Sequence, residues 1–248
     1  MGKLNMKDWI NQTILNKKVI SIPIMTHPGI ELIGKTVHDA VTNGQVHYEA
    51  IKALCDKYPS AATVIMDLTV EAEAFGAEIV FPENEVPSVS GRLLADEAAI
   101  ETLEIPALNK GRIAQYLKAN MLTAKNITDR PVLAGCIGPY SLAGRLYDMS
   151  EIMMLIYINP EAANTLLRKC TDFIIRYCMA LKATGVNGVV MAEPAAGLLS
   201  NEDCLQYSSV FVKEIVEKVQ DDHFTVVLHN CGNTGYGIYG CGSLSFRK

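Results

Sequence analysis

Four short stretches of this chain are continuously apolar rather than alternating: Ala62-Thr63-Val64-Ile65-Met66, Pro131-Val132-Leu133-Ala134-Gly135-Cys136-Ile137, Gly188-Val189-Val190-Met191-Ala192 and Thr225-Val226-Val227-Leu228. A strand with one wet face alternates apolar and polar residues, so continuous runs belong to strands buried on both faces. Such strands occur in parallel sheets whose faces are covered by helices, and helical periods do lie between these runs. The pattern predicts helices over Gly44–Tyr58, Val70–Phe75, Asp96–Leu103, Asn109–Ile127, Ser141–Tyr147, Ser150–Tyr157, Pro160–Ala183 and Asn201–Val219. The chain is therefore expected to be α/β, with about five strand–helix steps, whereas a closed (β/α)8 barrel needs eight.

Local chemistry sets the ends of these elements. Gly76 suits a helix C-cap, Pro160 a first helical position, and Asn109 and Asn201 the N-caps of their helices. Upstream, Met6–Lys17 has a helical period, Val19–Ile24 reads as a strand with Pro23 near its end, and Thr26-His27-Pro28-Gly29 reads as a turn. Ile79-Val80-Phe81 and Val86–Val89 read as extended pieces of a loop excursion outside the main sheet.

Composition excludes several functions. A net charge of −5 with no Lys/Arg cluster gives no footprint for nucleic acid. No apolar run reaches the ~18 residues of a membrane span, and Met1–Lys17 is not signal-like, so a cytoplasmic protein is expected. The seven cysteines are scattered, and Cys170 and Cys178, eight apart on a helical pattern, read as small buried apolar side chains. Hydrophobic content of 49% fits a single domain with a large core.

In parallel α/β folds the carboxyl ends of the strands line the active site. Here those ends carry Asp67, Glu193, Gly138-Pro139, and His229 with Cys231. His229 and Cys231 are two apart and project to one side of an extended chain, offering an imidazole and a thiolate, both zinc donors. A catalytic zinc takes three protein ligands. Glu193 is a candidate third, and Cys241 another if the tail folds back. The Gly235–Gly240 segment matches G-x-G-x-x-G by letter, but no helix follows it, and no G-x-S-x-G elbow is present, so dinucleotide and serine-hydrolase readings fall away.

From about Val19 to Thr234 the chain resembles the uroporphyrinogen decarboxylase superfamily, and within it the corrinoid-dependent methyltransferases of the methylcobamide:coenzyme M type. Met66-Asp67-Leu68 through Glu73-Ala74-Phe75-Gly76, then Glu78–Phe81 and Val86-Pro87, resemble the segment bearing the decarboxylase's catalytic aspartate, which falls on Asp67. Gly135–Ala143 resembles the glycine-proline strand end of the family, with Gly138, Pro139 and Tyr140 at the ligand side. Leu228–Thr234 is similar to the methyltransferase zinc motif. The decarboxylase's arginine-rich motif is matched by Met25–Gly29, which has no arginine, and Arg145 stands where the decarboxylases have a tyrosine.

The resemblance implies a TIM barrel of the uroporphyrinogen decarboxylase type. It also implies zinc on His229 and Cys231, a corrinoid methyl donor carried by a partner corrinoid protein, and a small thiol acceptor. Asp67 and Glu193 are carried over as catalytic residues of the mouth, Glu193 as zinc ligand or polar wall. Two alternatives stay open: a porphyrinogen decarboxylase, or an inactive corrinoid- or tetrapyrrole-binding barrel. After Thr234 the resemblance stops and residues 235–248 form an atypical tail, so a single domain over 1–248 is expected to be a barrel incomplete at its C-terminal end. An open barrel exposes a strand edge, which leaves a homo-oligomer open.

Overall fold

A computed structural model of the chain describes residues 4–17, 22, 24, 27–58 and 63–231, with backbone only at 63–65. The strands are β1 (Thr63–Ile65), β2 (Ile79–Val80), β3 (Ser88–Val89), β4 (Val132–Ile137), β5 (Gly188–Ala192) and β6 (Thr225–His229). The α-helices are α1 (Met6–Leu15), α2 (His27–Leu32), α3 (Val37–Thr42), α4 (Gly44–Lys57), α5 (Val70–Phe75) and α6 (Glu97–Thr102). They continue with α7 (Ile113–Asn126), α8 (Pro139–Tyr147), α9 (Met149–Ile158), α10 (Pro160–Ala183), α11 (Asn201–Cys204) and α12 (Val210–Val219).

The four continuous apolar runs become one parallel sheet in the order β1-β4-β5-β6. All six residues of β4 and all five of β5 are buried, the two-sided burial that their unbroken hydrophobicity requires. Register runs Ile137 with Ala192 and Ala192 with His229, so β4, β5 and β6 end at one level and their following residues share one rim, whereas β1 ends three residues earlier, with Ile65 opposite Ala134. β2 and β3 pair antiparallel outside this sheet, as the excursion reading anticipates.

The helices bury their apolar stripes against the sheet and against one another. α10 presents Ala163, Leu166, Leu167, Cys170, Phe173, Ile174, Tyr177, Cys178 and Leu181, a three-to-four-residue spacing that makes one continuous buried face. Burial of each large apolar side chain contributes roughly 1.5–3 kcal/mol before the cost of ordering the chain. Cys170 and Cys178 sit within this face as small apolar groups.

Several boundaries differ from expectation. His27–Leu32 is a short helix rather than a turn, and its Gly29 packs directly on the Ala50 backbone of α4, where a side chain would clash. α7 begins at Ile113, four residues after Asn109, with no side-chain cap. The cap of α11 is Ser200, whose hydroxyl accepts from the Asp203 N–H, and not Asn201. A π-helical turn at Leu205–Ser209 interrupts the expected helix before α12. α3 has no counterpart in the sequence reading. The Val19–Ile24 strand falls largely outside the described residues, as do Cys241 and the tail. Among the described residues no helix is long and apolar enough to cross a membrane.

Candidate active site at the strand ends

Where the sheet ends, a cavity of about 520 Å³ opens. Its wall combines apolar Val89, Ile137 and Leu198 with Ser141, Arg145, Asp148 and Cys231. Cys231 follows β6, and its Sγ lies 3.0 Å from Nε2 of His229. The strand therefore delivers the imidazole and the thiol to one place, as their spacing of two residues requires. Among the described residues no cluster of three His, Cys, Asp or Glu side chains surrounds this pair.

Glu193, the expected third donor, is committed elsewhere. It is 1% exposed, and its Oε1 accepts from the Tyr140 N–H at 2.8 Å and the Ser208 hydroxyl at 3.1 Å. Its Oε2 accepts from the Ser141 N–H at 2.9 Å. The position before α8 is Gly138, which has no side chain with which to cap, so a carboxylate from the neighbouring strand end supplies the acceptor that the helix N-terminus needs. Burial raises the Glu193 pKa, and the hydrogen bonds from Ser141, Tyr140 and Ser208 oppose that rise. Ser208 lies in the π-helical turn Leu205–Ser209. The Glu193 N–H itself donates to the His229 carbonyl at 2.8 Å, tying the cap to the strand that carries the His–Cys pair.

This arrangement also gives Gly138 a different use from the expected one. A methyl on Gly138 would sit 2.5 Å from Cδ of Glu193, so the space its missing side chain leaves is filled by the carboxylate and not kept for a ligand. Pro139 and Tyr140 are buried behind this cap, and the cavity wall from their segment is instead Ile137, Ser141, Gly144 and Arg145. The cavity-facing side of α8 thus lies one turn along from the residues expected at the ligand side.

Asp67 is likewise saturated. Its Oδ2 takes Nη1 of Arg112 at 2.7 Å and the Tyr116 hydroxyl at 3.0 Å, and its Oδ1 takes the N–H and hydroxyl of Thr69 at 2.9 and 2.8 Å. Four hydrogen bonds fill the acceptor capacity of a carboxylate. Arg112 also bonds Glu73 through Nε at 2.6 Å and lies over the Phe81 ring, which explains how a guanidinium is kept almost entirely buried.

Two further groups were missed in the sequence. Glu71, in the first turn of α5, is 1% exposed and accepts from the Ile137 N–H at 3.0 Å, filling the gap beside β4 where β1 has already ended. Its other oxygen has no partner, and burial pushes its pKa up to about 8. His47 is 2% exposed, edge-on to Tyr116, with Nε2 unpartnered, and burial lowers its pKa to about 4. It lines a second, enclosed cavity of about 40 Å³ with His27 and Asp67. His47 shares a helix face with Ala50, Ile51 and Leu54, a spacing that marks it as inward-facing.

Comparison with known proteins gives this site its relatives. Residues 18–242 match the family described as uroporphyrinogen decarboxylase (URO-D). The methylcobamide:CoM methyltransferase MtbA of Methanosarcina acetivorans is 31% identical over 182 residues, 72% of this chain and 53% of that protein. The uroporphyrinogen decarboxylase of Legionella pneumophila (strain Corby) is 26% identical over 169 residues, 66% of this chain and 48% of that one. This chain thus spans about half the length of the curated relatives it matches. Among solved structures, a methyltransferase from Methanosarcina mazei superposes with a TM-score of 0.81 at 25% identity, covering 89% of this chain and 66% of that one. The parallel sheet, its helical cover and its strand-end site are those of the TIM-barrel type, and the chain belongs to the uroporphyrinogen decarboxylase (URO-D) family.

Proposed function

We propose that this chain is a zinc-dependent methyltransferase that moves a methyl group from a methylated corrinoid, carried by a partner corrinoid protein, to a small thiol. The observation that carries the reading is the His229–Cys231 pair, 3.0 Å apart, with Cys231 on the wall of a cavity of about 520 Å³. A nitrogen and a sulfur donor are ligand types that zinc takes, and opening the pair by about half an ångström, to the ~3.5 Å of a tetrahedral site, would let both bind one ion. The third donor is sought outside Asp67 and Glu193, whose oxygens are occupied. When bound, zinc would hold the acceptor as its thiolate, since a free thiol of pKa ~8.5 is mostly protonated at neutral pH.

The rest of the site acts through position. β6 fixes the His–Cys pair, the Glu193 cap fixes the start of α8 beside it, and Cys231 is exposed at the cavity, open to an incoming thiol. The greater identity to the methyltransferases than to the decarboxylases agrees with this ranking. So does the commitment of Asp67 to Arg112, Tyr116 and Thr69, which leaves it no free acceptor for a porphyrinogen. We place the activity in the cytoplasm and in one barrel-type domain. The test is thiol-dependent demethylation of methylcobalamin, expected to require zinc and to be lost in His229→Ala. Metal-independent turnover of uroporphyrinogen, lost in Asp67→Asn, would reverse the assignment.

A further inference from the structure

We infer that the strand-end cavity takes a zwitterionic ligand of the amino-acid class, with Arg145 holding its carboxylate and Asp148 facing its ammonium group. The inference rests on the methyltransfer reading only for the thiol end of that ligand. Arg145 and Asp148 are the charged side chains of the cavity wall, and the remainder is mostly apolar. Arg145 lies in the last turn of α8, half-buried, and makes no ion pair or hydrogen bond among the described residues. A partly desolvated guanidinium with free donors is the group that best matches a carboxylate, through two parallel N–H bonds.

Asp148 follows three residues later at the junction of α8 and α9. Its backbone has φ 81° and ψ 144°, a conformation that L residues with a side chain rarely adopt. Such strain persists where the surroundings impose it, and it concentrates at ligand sites. One oxygen, Oδ1, accepts from the N–H groups of Ser150 and Glu151 at 2.8 and 3.4 Å and so starts α9. Oδ2 has no hydrogen-bond partner among the described residues. Arg145, half-buried, and Asp148, exposed at the rim, form no ion pair with each other among the described residues, so opposite charges border one cavity.

A purely anionic ligand would meet Arg145 but carry its charge past an aspartate, and like charges at close quarters discriminate against it. A ligand with both charges satisfies both. Anchored at the α8–α9 junction, it would extend across the cavity to Cys231, where a side-chain thiol meets the proposed metal donors.

Calorimetric titration of the zinc-loaded chain with three thiols tests this. The probes are L-homocysteine, 4-mercaptobutyrate, which lacks the ammonium, and 3-mercaptopropylamine, which lacks the carboxylate. L-Homocysteine is expected to bind at least about tenfold more tightly than either. Arg145→Gln should erase its advantage over 3-mercaptopropylamine. Asp148→Asn, which keeps an N-capping side chain, should erase its advantage over 4-mercaptobutyrate. Equal binding of L-homocysteine and 4-mercaptobutyrate, an unchanged ranking in Asp148→Asn, or no binding of any probe would overturn the inference. A cobalt(II)-substituted chain separates this from the metal reading. A thiolate-to-metal absorption band with 2-mercaptoethanol but no preference for the zwitterion sinks the inference alone. The preference without any band sinks the metal reading and leaves the inference standing.

Discussion

Adding one methyl group at Gly138 should unfasten the start of α8. Placed on the observed backbone, the Cβ of Gly138→Ala would lie 2.5 Å from Cδ and 2.9 Å from Cβ of Glu193, so the buried carboxylate must move. Its movement strips the acceptor from the N–H groups of Tyr140 and Ser141, both buried and both bonded at under 3 Å. Hydrogen bonds to a charged acceptor contribute about 1.5–3 kcal/mol each, which puts the loss at about 3–6 kcal/mol. The reduced freedom of the unfolded chain returns roughly 0.4–1 kcal/mol, so a net destabilisation of about 2–5.5 kcal/mol is expected, a large share of a typical domain's stability. The assay is urea unfolding of the four members of a double-mutant cycle with Glu193→Ala. Glu193→Ala removes the carboxylate and leaves only its Cβ, 2.9 Å from the added methyl, so Gly138→Ala should then cost about 1–2 kcal/mol, giving a coupling of about 2 kcal/mol. Equal cost of Gly138→Ala in both backgrounds would refute the assignment of Glu193 as the cap of α8.

Other outcomes follow from the buried charges. Glu71 has its pKa raised from 4.5 to about 8, so its contribution to stability is complete below pH 4.5 and lost as pH rises toward 8, on the order of 4–5 kcal/mol in all. Unfolding free energy measured from pH 4.5 to 8 should therefore fall more steeply in the natural chain than in Glu71→Gln, and parallel curves would count against it. His47 works in the opposite direction: its pKa is lowered from 6.5 to about 4, so its contribution is complete above pH 6.5 and lost as pH falls to 4, on the order of 3 kcal/mol. His47→Gln should flatten that acid limb in the same titration. Arg112→Met leaves Asp67 buried without its cation and should cost about 3–5 kcal/mol by urea unfolding, with part recovered on adding Asp67→Asn. No recovery in the double variant would mean that Asp67 is not held by the pair.

The sheet was legible in the chain because two-sided burial leaves a direct trace: Val132–Ile137 and Gly188–Ala192 admit no polar residue, and each run became a strand. The strand ends were legible for the same reason, since the first polar residue after such a run must lie at the rim. What those residues do there was less so. Asp67 meets Arg112 across 45 positions and Glu193 meets Tyr140 across 53, and no local periodicity encodes partners so far apart. Glu71 reads as an ordinary acidic first turn, yet it is drawn inward because β1 ends early and leaves the Ile137 N–H without a strand partner. Gly138 reads in the sequence as a residue at the ligand side, whereas packing places the Glu193 side chain against it, a partner 55 positions away that no local pattern encodes. Asn109 and Asn201 carry good capping chemistry but lie off the true helix starts, because the Arg112 network fixes where α7 begins and Ser200 is already in the extended conformation a cap requires.

The central claim concerns the His–Cys pair at the end of β6, and metal content tests it most directly. Purified from zinc-supplemented medium, the natural chain should hold about one equivalent of zinc, falling by more than about tenfold in both His229→Ala and Cys231→Ala. Less than about a tenth of an equivalent in the natural chain, or zinc that both variants retain, would contradict the account.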